Sequence, residues 1–264
     1  MSWWALLLLA WALTAALQLG LYLLQRRTGS ATAVDAGWAG SLAGMGVLYA
    51  FLGEGELEHR VLIGVMTALA FGRLTYLIVQ RVGGEEDRRY QELRRRWRER
   101  GREQGTFFVF YQGQAFVAVL LSVPFLAAAY NEHDGLELLE WVGLGMWLVG
   151  AVVETVSDHQ MSAFRRDTSN RGKVIDVGLW HYSRHPNYFG QWLTWCGYGL
   201  VGLAAPWGWL GLLSPVLMLY LILRVTGVPP MEERMLESRG DAYRAYQRRT
   251  SVFVPLPPKT DEAT

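Results

Sequence analysis

The sequence predicts an all-α integral membrane protein: a seven-helix transmembrane bundle with its N-terminus outside and its C-terminus in the cytoplasm. Three observations carry that prediction. The hydrophobic residues, 51% of the 264, fall in blocks rather than being spread evenly along the chain. Seven such blocks occur, and each approaches the ~20 residues that cross the hydrocarbon at about 1.5 Å per residue. The charged connections between blocks alternate between basic and acidic, the pattern that positive-inside orientation produces.

The first block, 3–24, has no Lys or Arg before it and is too long for a signal peptide, so it is read as a retained helix. Arg26 and Arg27 follow it on the cytoplasmic side. Block two, 33–53, carries Asp35, read as a packing or helix-end charge near its outer end. The connection from Glu54 to Arg60 is mainly acidic and is placed outside. Block three, 61–80, carries Arg73 in its cytoplasmic half. The next connection, Arg81 to Gly105, holds nine arginines against six acids. Within it, 88–102 reads as a surface helix whose Tyr90, Leu93 and Trp97 recur at helical spacing. Two roles fit that helix: lying on anionic headgroups with its arginines snorkelling, or contacting a cofactor phosphate.

Block four, 107–130, leads to Asn131–Glu140, which has four acids and no Lys or Arg. Block five, 138–160, is followed by Arg165, Arg166, Arg171, Lys173 and Arg184. Block six, 187–204, is the shortest, and block seven, 207–226, ends near Arg224 before an arginine-rich tail. Trp3, Trp4, Trp141, Trp207 and Trp209 fall near block ends, where an aromatic belt belongs.

Several function classes drop out. The net charge of +1 gives no field for nucleic acid. The single cysteine, Cys196, excludes an internal disulfide and a cysteine-based metal site. His185 has no second ligand at the usual spacing, so no metal is expected. No Gly-x-Gly-x-x-Gly after a strand, Walker loop or nucleophile elbow is present. A transporter needs buried charges along a path to both faces, and ranks last.

Charges inside apolar blocks need a partner or a wet cavity. Glu154 and Asp158, four apart, share a helix face, and Arg165 continues it two turns on if the helix persists. With Arg73, Arg224 and Asn187 these residues are expected either to form a cytoplasm-facing, phosphate-binding pocket or to pair as interhelical ions. The stretch Asp176–Gln191 sets Tyr182, Arg184, His185, Asn187 and Tyr188 at the start of block six. Asn187 and Gln191, four apart, present amides able to grip a carboxamide or to bond neighbouring helices.

The segment Gly178-Leu-Trp-His-Tyr-Ser-Arg-His-Pro-Asn-Tyr-Phe-Gly190 resembles the signature of the bacterial branch of the steroid 5α-reductase family. That family shares a membrane superfamily with sterol reductases and isoprenylcysteine carboxyl methyltransferases. The resemblance extends to Gln114 and Pro124, to Arg73 with Arg81, to Ser157-Asp158 through Arg165, and to Arg224 and Tyr243–Pro255. It implies one membrane domain, 1–264, with substrate-side helices in 1–130 and a cofactor-binding half in 138–255, in a bacterial inner membrane. It also implies NADPH as cofactor, contacted by Asp158 and Arg165, with Asn187 on the nicotinamide side and Arg73 and Arg224 on phosphates. Tyr182, Arg184, His185 and Tyr188 complete the cofactor set. Gln191 stands where the family has a glutamate.

The implied reaction is hydride transfer to the β-carbon of a double bond conjugated to a ketone, in a lipophilic steroid-like substrate drawn from the bilayer. In the family a Tyr–Glu pair polarises the carbonyl. Here Ala70 falls at the tyrosine position, leaving Glu54 as the carboxylate and Tyr49 or Tyr76 as the donor. A second reading is an S-adenosylmethionine-dependent methyltransferase, because Arg-His-Pro-x-Tyr followed by Glu232-Glu233-x-x-Leu236 resembles that branch. The number of arginines favours the phosphate-bearing cofactor.

Overall fold

The computed structural model describes residues 1–80 and 82–259; Arg81, one of the residues in the resemblance, lies outside the described residues. The chain is all-helical, with no strand among the described residues and one isolated parallel bridge between Ser183 and Ser251. It forms two compact units. The first comprises Met1–Glu140 and Val201–Leu213; the second comprises Trp141–Leu200 and the chain from Ser214 onward.

The first unit opens with α1 (Trp3–Thr28), which ends where Gly29 adopts φ 75° and returns its N–H to the Gln25 carbonyl. Only glycine takes that left-handed turn without strain. α2 (Ala33–Leu52) and α3 (Leu57–Val79) form a hairpin. Their backbones come close because glycine sits at the crossings. A Cβ on Gly46 would lie 1.9 Å from Thr67 Oγ1, and one on Gly64 would lie 2.8 Å from Ala50 Cβ. Small residues at such crossings are how apolar helices gain packing without a hydrophobic driving force.

The acidic connection after block four is clasped to this hairpin. His59 Nδ1 lies 2.6 Å from Glu140 Oε1, and its Nε2 donates to the His133 carbonyl at 2.8 Å. Both side chains of the His59–Glu140 pair are fully buried.

The expected surface helix is α4 (Arg88–Glu99). Its apolar side faces the protein: Tyr90 is buried in a cluster with Tyr22, Val34, Phe107 and Tyr111, and Leu93 and Trp97 pack against it. Tyr90 donates to Asp35 Oδ1 at 2.6 Å and Arg89 to Asp35 Oδ2 at 2.6 Å. Burial, then the Asp35 charge, raises the Tyr90 pKa, so the phenol stays a donor. This contact corrects the expectation that Asp35 sits near the outer end of its block. It stands instead at the end of the unit that carries the arginine-rich connection.

α5 (Glu103–Leu121) and α6 (Val123–Ala128) are one apolar stretch broken at Ser122, with Pro124 in the first turn of α6. Proline suits a first turn, where its missing N–H has no partner to lose.

The second unit is built on α7 (Leu138–Arg166), from Trp141 onward, and on α9 (Pro186–Leu203) as far as Leu200, with the one-turn α8 (Leu179–Tyr182) before α9. A Cβ on Gly150 would lie 2.6 Å from the Gly190 carbonyl, and one on Gly197 would lie 2.6 Å from the Gly143 carbonyl. Two glycine pairs, each step seven residues or two turns, therefore let α7 and α9 touch backbone to backbone. α10 (Leu213–Tyr220) runs through a π turn, Leu221–Val225, towards α11 (Val228–Arg239) and α12 (Asp241–Arg249).

Five helical segments are long and apolar enough to cross a membrane: Trp3–Thr28, Leu57–Val79, Glu103–Ala128, Leu138–Arg166 and Gly208–Arg239. Blocks two and six form helices of 20 and 18 residues but fall outside that set. Each carries four glycines and charged or amide side chains, Asp35 in the first and Asn187 and Gln191 in the second, which lower its hydropathy.

Candidate functional site

The site is assembled by the register of α7 on α9. Because Gly150 meets Gly190, the residues two turns further along α7 meet the start of α9, and the Asn187 amide donates to Asp158 Oδ1 at 3.2 Å. The helix persists to Arg166, so Asp158 and Arg165 lie on one face, roughly 10 Å apart along the axis.

The loop before α9 is fixed to the same helix. Gly178, at φ 59°, lets Leu179 N–H reach Gln160 Oε1 at 3.0 Å, and Trp180 Nε1 donates to the Ser157 carbonyl at 3.0 Å. On the other side this loop is held by the C-terminal segment. Ser183 Oγ donates to the Phe253 carbonyl at 2.7 Å, Arg184 N–H donates to the Ser251 carbonyl at 2.8 Å, and Tyr246 OH donates to the Trp180 carbonyl.

These contacts enclose a cavity of about 240 Å3. Asp158, Arg165 and Asn187 give it polar groups, and its apolar lining, or floor, includes Met161, Ile175, Trp180, Met231 and Met235. Tyr188 also lines it, its ring stacked on His185 at 5.4 Å and 5°. Of the ten residues expected to bind cofactor, six line this cavity: Asp158, Arg165, Arg184, His185, Asn187 and Tyr188.

Those six do different work. Arg165 is exposed and has no counter-ion among the described residues, so its guanidinium is available to an anion. Arg184 is committed. Its Nε donates to Glu232 Oε1 at 2.7 Å and its second nitrogen to the Gln247 and Thr250 carbonyls at 2.9 Å each. His185 Nε2 lies 3.3 Å from the same carboxylate oxygen. Arg184 and His185 therefore shape the wall rather than offering charge to a ligand.

Glu232 is the hub of that wall. Besides Arg184 and His185 it accepts from Gln247 Nε2 at 2.9 Å and from Tyr243 OH at 3.4 Å. Burial first, with the Glu232 charge adding to it, raises the pKa of the Tyr243 hydroxyl. Burial, with Asp176 adding to it, does the same for Tyr246. Both phenols remain donors. A carboxylate with four donors has little capacity left for the ammonium group of S-adenosylmethionine. Glu233 is exposed.

The other expected residues stand elsewhere. Tyr182 is 45% exposed, with its ring edge-on to His181, and Gln191 is half-buried further along α9; neither lines the cavity. Arg224 is exposed on the π turn. Arg73 and Tyr76 are exposed on α3 of the first unit. Tyr49 is fully buried on α2, with its hydroxyl 3.1 Å from Ser122 Oγ. Glu54, just past α2, is exposed and pairs with the α-amino group of Met1. Tyr49 and Glu54 share one end of the α2–α3 hairpin. Tyr76, nineteen residues along α3, is about 28 Å away at the other end.

Gln160, Gln247 and the methionine floor were not anticipated. An amide on a long helix and a methionine in an apolar run carry no local pattern that marks them.

A family model described as a protein of unknown function, DUF1295, matches residues 21–250. The chain is 32% identical over 83 residues to the 3-oxo-5-alpha-steroid 4-dehydrogenase 1 of Homo sapiens, covering 29% of this chain and 32% of that protein. It is 38% identical over 58 residues to the Rattus norvegicus protein of the same name, covering 22% of each. It is 23% identical over 239 residues to an uncharacterised Schizosaccharomyces pombe protein, covering 79% of this chain and 67% of that protein. The match thus spans about a third or less of the length of the steroid dehydrogenases. No solved structure matches the chain.

Proposed function

This chain belongs to the DUF1295 family, and on that premise we propose that it is an NADPH-dependent membrane reductase. Its substrate is a lipophilic, steroid-like molecule with a double bond conjugated to a ketone, entering from the bilayer. All seven blocks span, with the N-terminus outside. The relatives named as 3-oxo-5-alpha-steroid 4-dehydrogenases support the reaction class.

The observation that carries the reading is the chemistry of the second unit's cavity: a guanidinium without a counter-ion among the described residues and a carboxylate-anchored amide beside an apolar lining. That donor set fits one ring, sugar and phosphate of a dinucleotide. Arg165 binds phosphate oxygens, and Asn187, oriented by Asp158, meets a carboxamide. The methionine and tryptophan floor faces the flat ring and excludes water from it. Ligand pockets usually run from about 300 Å3 upward, so the rest of a dinucleotide lies beyond these 240 Å3. When bound, the cofactor supplies the hydride. On the substrate side, Tyr49 is the donor assigned to the ketone oxygen, where a developing negative charge needs a hydrogen bond, and Glu54 the accompanying carboxylate.

The test is binding of NADPH and of S-adenosylmethionine to detergent-purified protein, with Asn187→Ala and Arg165→Ala alongside. NADPH is expected to bind, each variant to weaken it at least tenfold, and S-adenosylmethionine not to bind. Binding of S-adenosylmethionine in place of NADPH would sink the reductase.

A further inference from the structure

A second cleft, of about 400 Å3, opens in the second unit, and Arg184 lines both it and the cavity already described. Arg248, Arg249, Thr250, Ser251 and Lys259 provide the rest of its polar lining, and among the described residues no carboxylate lines it. Arg248 and Lys259 are exposed and have no counter-ion among the described residues. Lys259 is drawn over the cleft by its N–H, which donates to the Arg249 carbonyl at 2.9 Å. One guanidinium nitrogen of Arg249 pairs with Asp176.

Exposed cations alone do not make a site. Two further atoms do. Thr250 is 3% exposed, and its hydroxyl has no hydrogen-bond partner among the described residues. The Arg249 Nε is likewise buried without one. A buried polar group left unmet costs about 1–3 kcal/mol, so native structures seldom keep one without a reason. The Nε–H can only donate and the hydroxyl can donate, so both call for an acceptor. Two unpaired cations beside them make the matching acceptor an oxyanion.

From this geometry we propose that the cleft is a phosphate-ester site. Arginine nitrogens and a threonine hydroxyl suit tetrahedral phosphate oxygens better than they suit a neutral acceptor. The volume exceeds what bare phosphate needs and leaves room for an attached glycerol or sugar. Two sources share this chemistry. One is the headgroup of an anionic phospholipid at the membrane face. The other is a phosphate of the dinucleotide that the first cavity is too small to enclose; this second source rests on the proposed reductase, and the first does not.

The experiment uses the full chain in detergent and the variants R248Q/K259Q and Thr250→Val. The first changes only exposed side chains, and the second keeps the shape of its residue. Binding of phosphatidylglycerol against phosphatidylcholine is read by native mass spectrometry, and affinity for NADPH and NADH by tryptophan fluorescence. About a tenfold loss at one of the two sources is expected in both variants, with melting temperatures not lowered. Loss of the phosphatidylglycerol preference alone assigns the cleft to lipid. Loss of NADPH affinity with NADH unchanged assigns it to the 2′-phosphate, and equal loss for both assigns it to the pyrophosphate. Unchanged affinity for all three in both variants overturns the proposal. If NADPH fails to bind the unaltered protein, the reductase reading falls while the lipid measurement still decides the cleft.

Discussion

Arg184 brings a permanent charge to a place where only 11% of its side chain meets solvent, and Glu232, 16% exposed, answers it at 2.7 Å. Removing one member of such a pair leaves the other charged and desolvated, at a cost of about 3–5 kcal/mol. Glu232→Met is therefore expected to lower the melting temperature of the purified protein by roughly 10 °C. Arg184→Met/Glu232→Met is expected to recover much of that loss, because the double variant leaves no orphan charge. A double variant as unstable as the sum of the two single ones would show that the pair does not act as a unit. The same comparison separates wall from ligand contact. Glu232→Met is expected to lower both stability and affinity for NADPH, the proposed cofactor, whereas Arg165→Ala, which removes a guanidinium with no counter-ion among the described residues, is expected to lower affinity alone. At this scale the sequence was half legible. The Arg-His-Pro-Asn run pointed to residues that line the cavity, but a count of arginines could not tell an ion-paired Arg184 from Arg165, which has no counter-ion among the described residues. The partner that decides it, Glu232, is 48 residues away.

At the scale of elements, the site depends on how closely two helices approach. Gly190 has the Glu154 N–H 2.5 Å and the Gly150 carbonyl 2.7 Å from where its Cβ would stand, both backbone atoms that cannot swing aside. Gly190→Ala must push α9 off α7, at about 1–3 kcal/mol for the overpacking. It also stretches the Asn187–Asp158 bond of 3.2 Å that the same register creates. The expected outcome is a modest loss of stability with a tenfold or larger loss of NADPH affinity. Gly145→Ala, on α7 with nothing within 4 Å of its Cβ, serves as the control. Equal behaviour of the two variants would remove the glycine register as the organiser of the site. The glycines at 143, 150, 190 and 197 are plain in the sequence, yet which pairs meet is a tertiary fact that no local pattern carries. α4 shows the same limit. Its period was readable, but a Tyr-Leu-Trp stripe buries itself equally well in lipid or in protein. Phe107 and Tyr111, presented by α5, decided for protein. Tyr90→Phe leaves one Asp35 oxygen without its donor while keeping the ring, so a loss of about 1–2 kcal/mol is expected in thermal melts. An unchanged melting temperature would mean that the apolar stripe alone holds α4.

For the whole molecule, the quantity that sequence reports best is charge by connection, because it does not depend on packing. It assigns Arg26, Arg27, the 81–105 arginines and Lys173 to one side, and Glu58 and Asp134 to the other. Hydropathy by itself recovers five crossings, because Asp35 with four glycines in α2, and Asn187 and Gln191 with four glycines in α9, lower the average that marks a span. In α9 the polar side chains at its start and the glycines that pack it on α7 thus both lower its hydropathy. Charge and hydropathy disagree on a point that can be measured. If α2 and α3 both cross, Arg27 and Arg100 face the same side and Glu58 faces the other. If α2 does not cross, Arg27 and Glu58 face the same side. In a background carrying Cys196→Ser, single substitutions Arg27→Cys, Glu58→Cys, Arg100→Cys, Asp134→Cys and Lys173→Cys are treated with a membrane-impermeant maleimide on intact cells and after permeabilisation. Labelling of 58 and 134 on intact cells, with 27, 100 and 173 reached only after permeabilisation, is the expected result. Labelling of 27 and 58 alike would return α2 to a buried or re-entrant element. It would also undo the proposed orientation, in which Arg165 and the basic cleft face a cytoplasmic dinucleotide or an inner-leaflet headgroup.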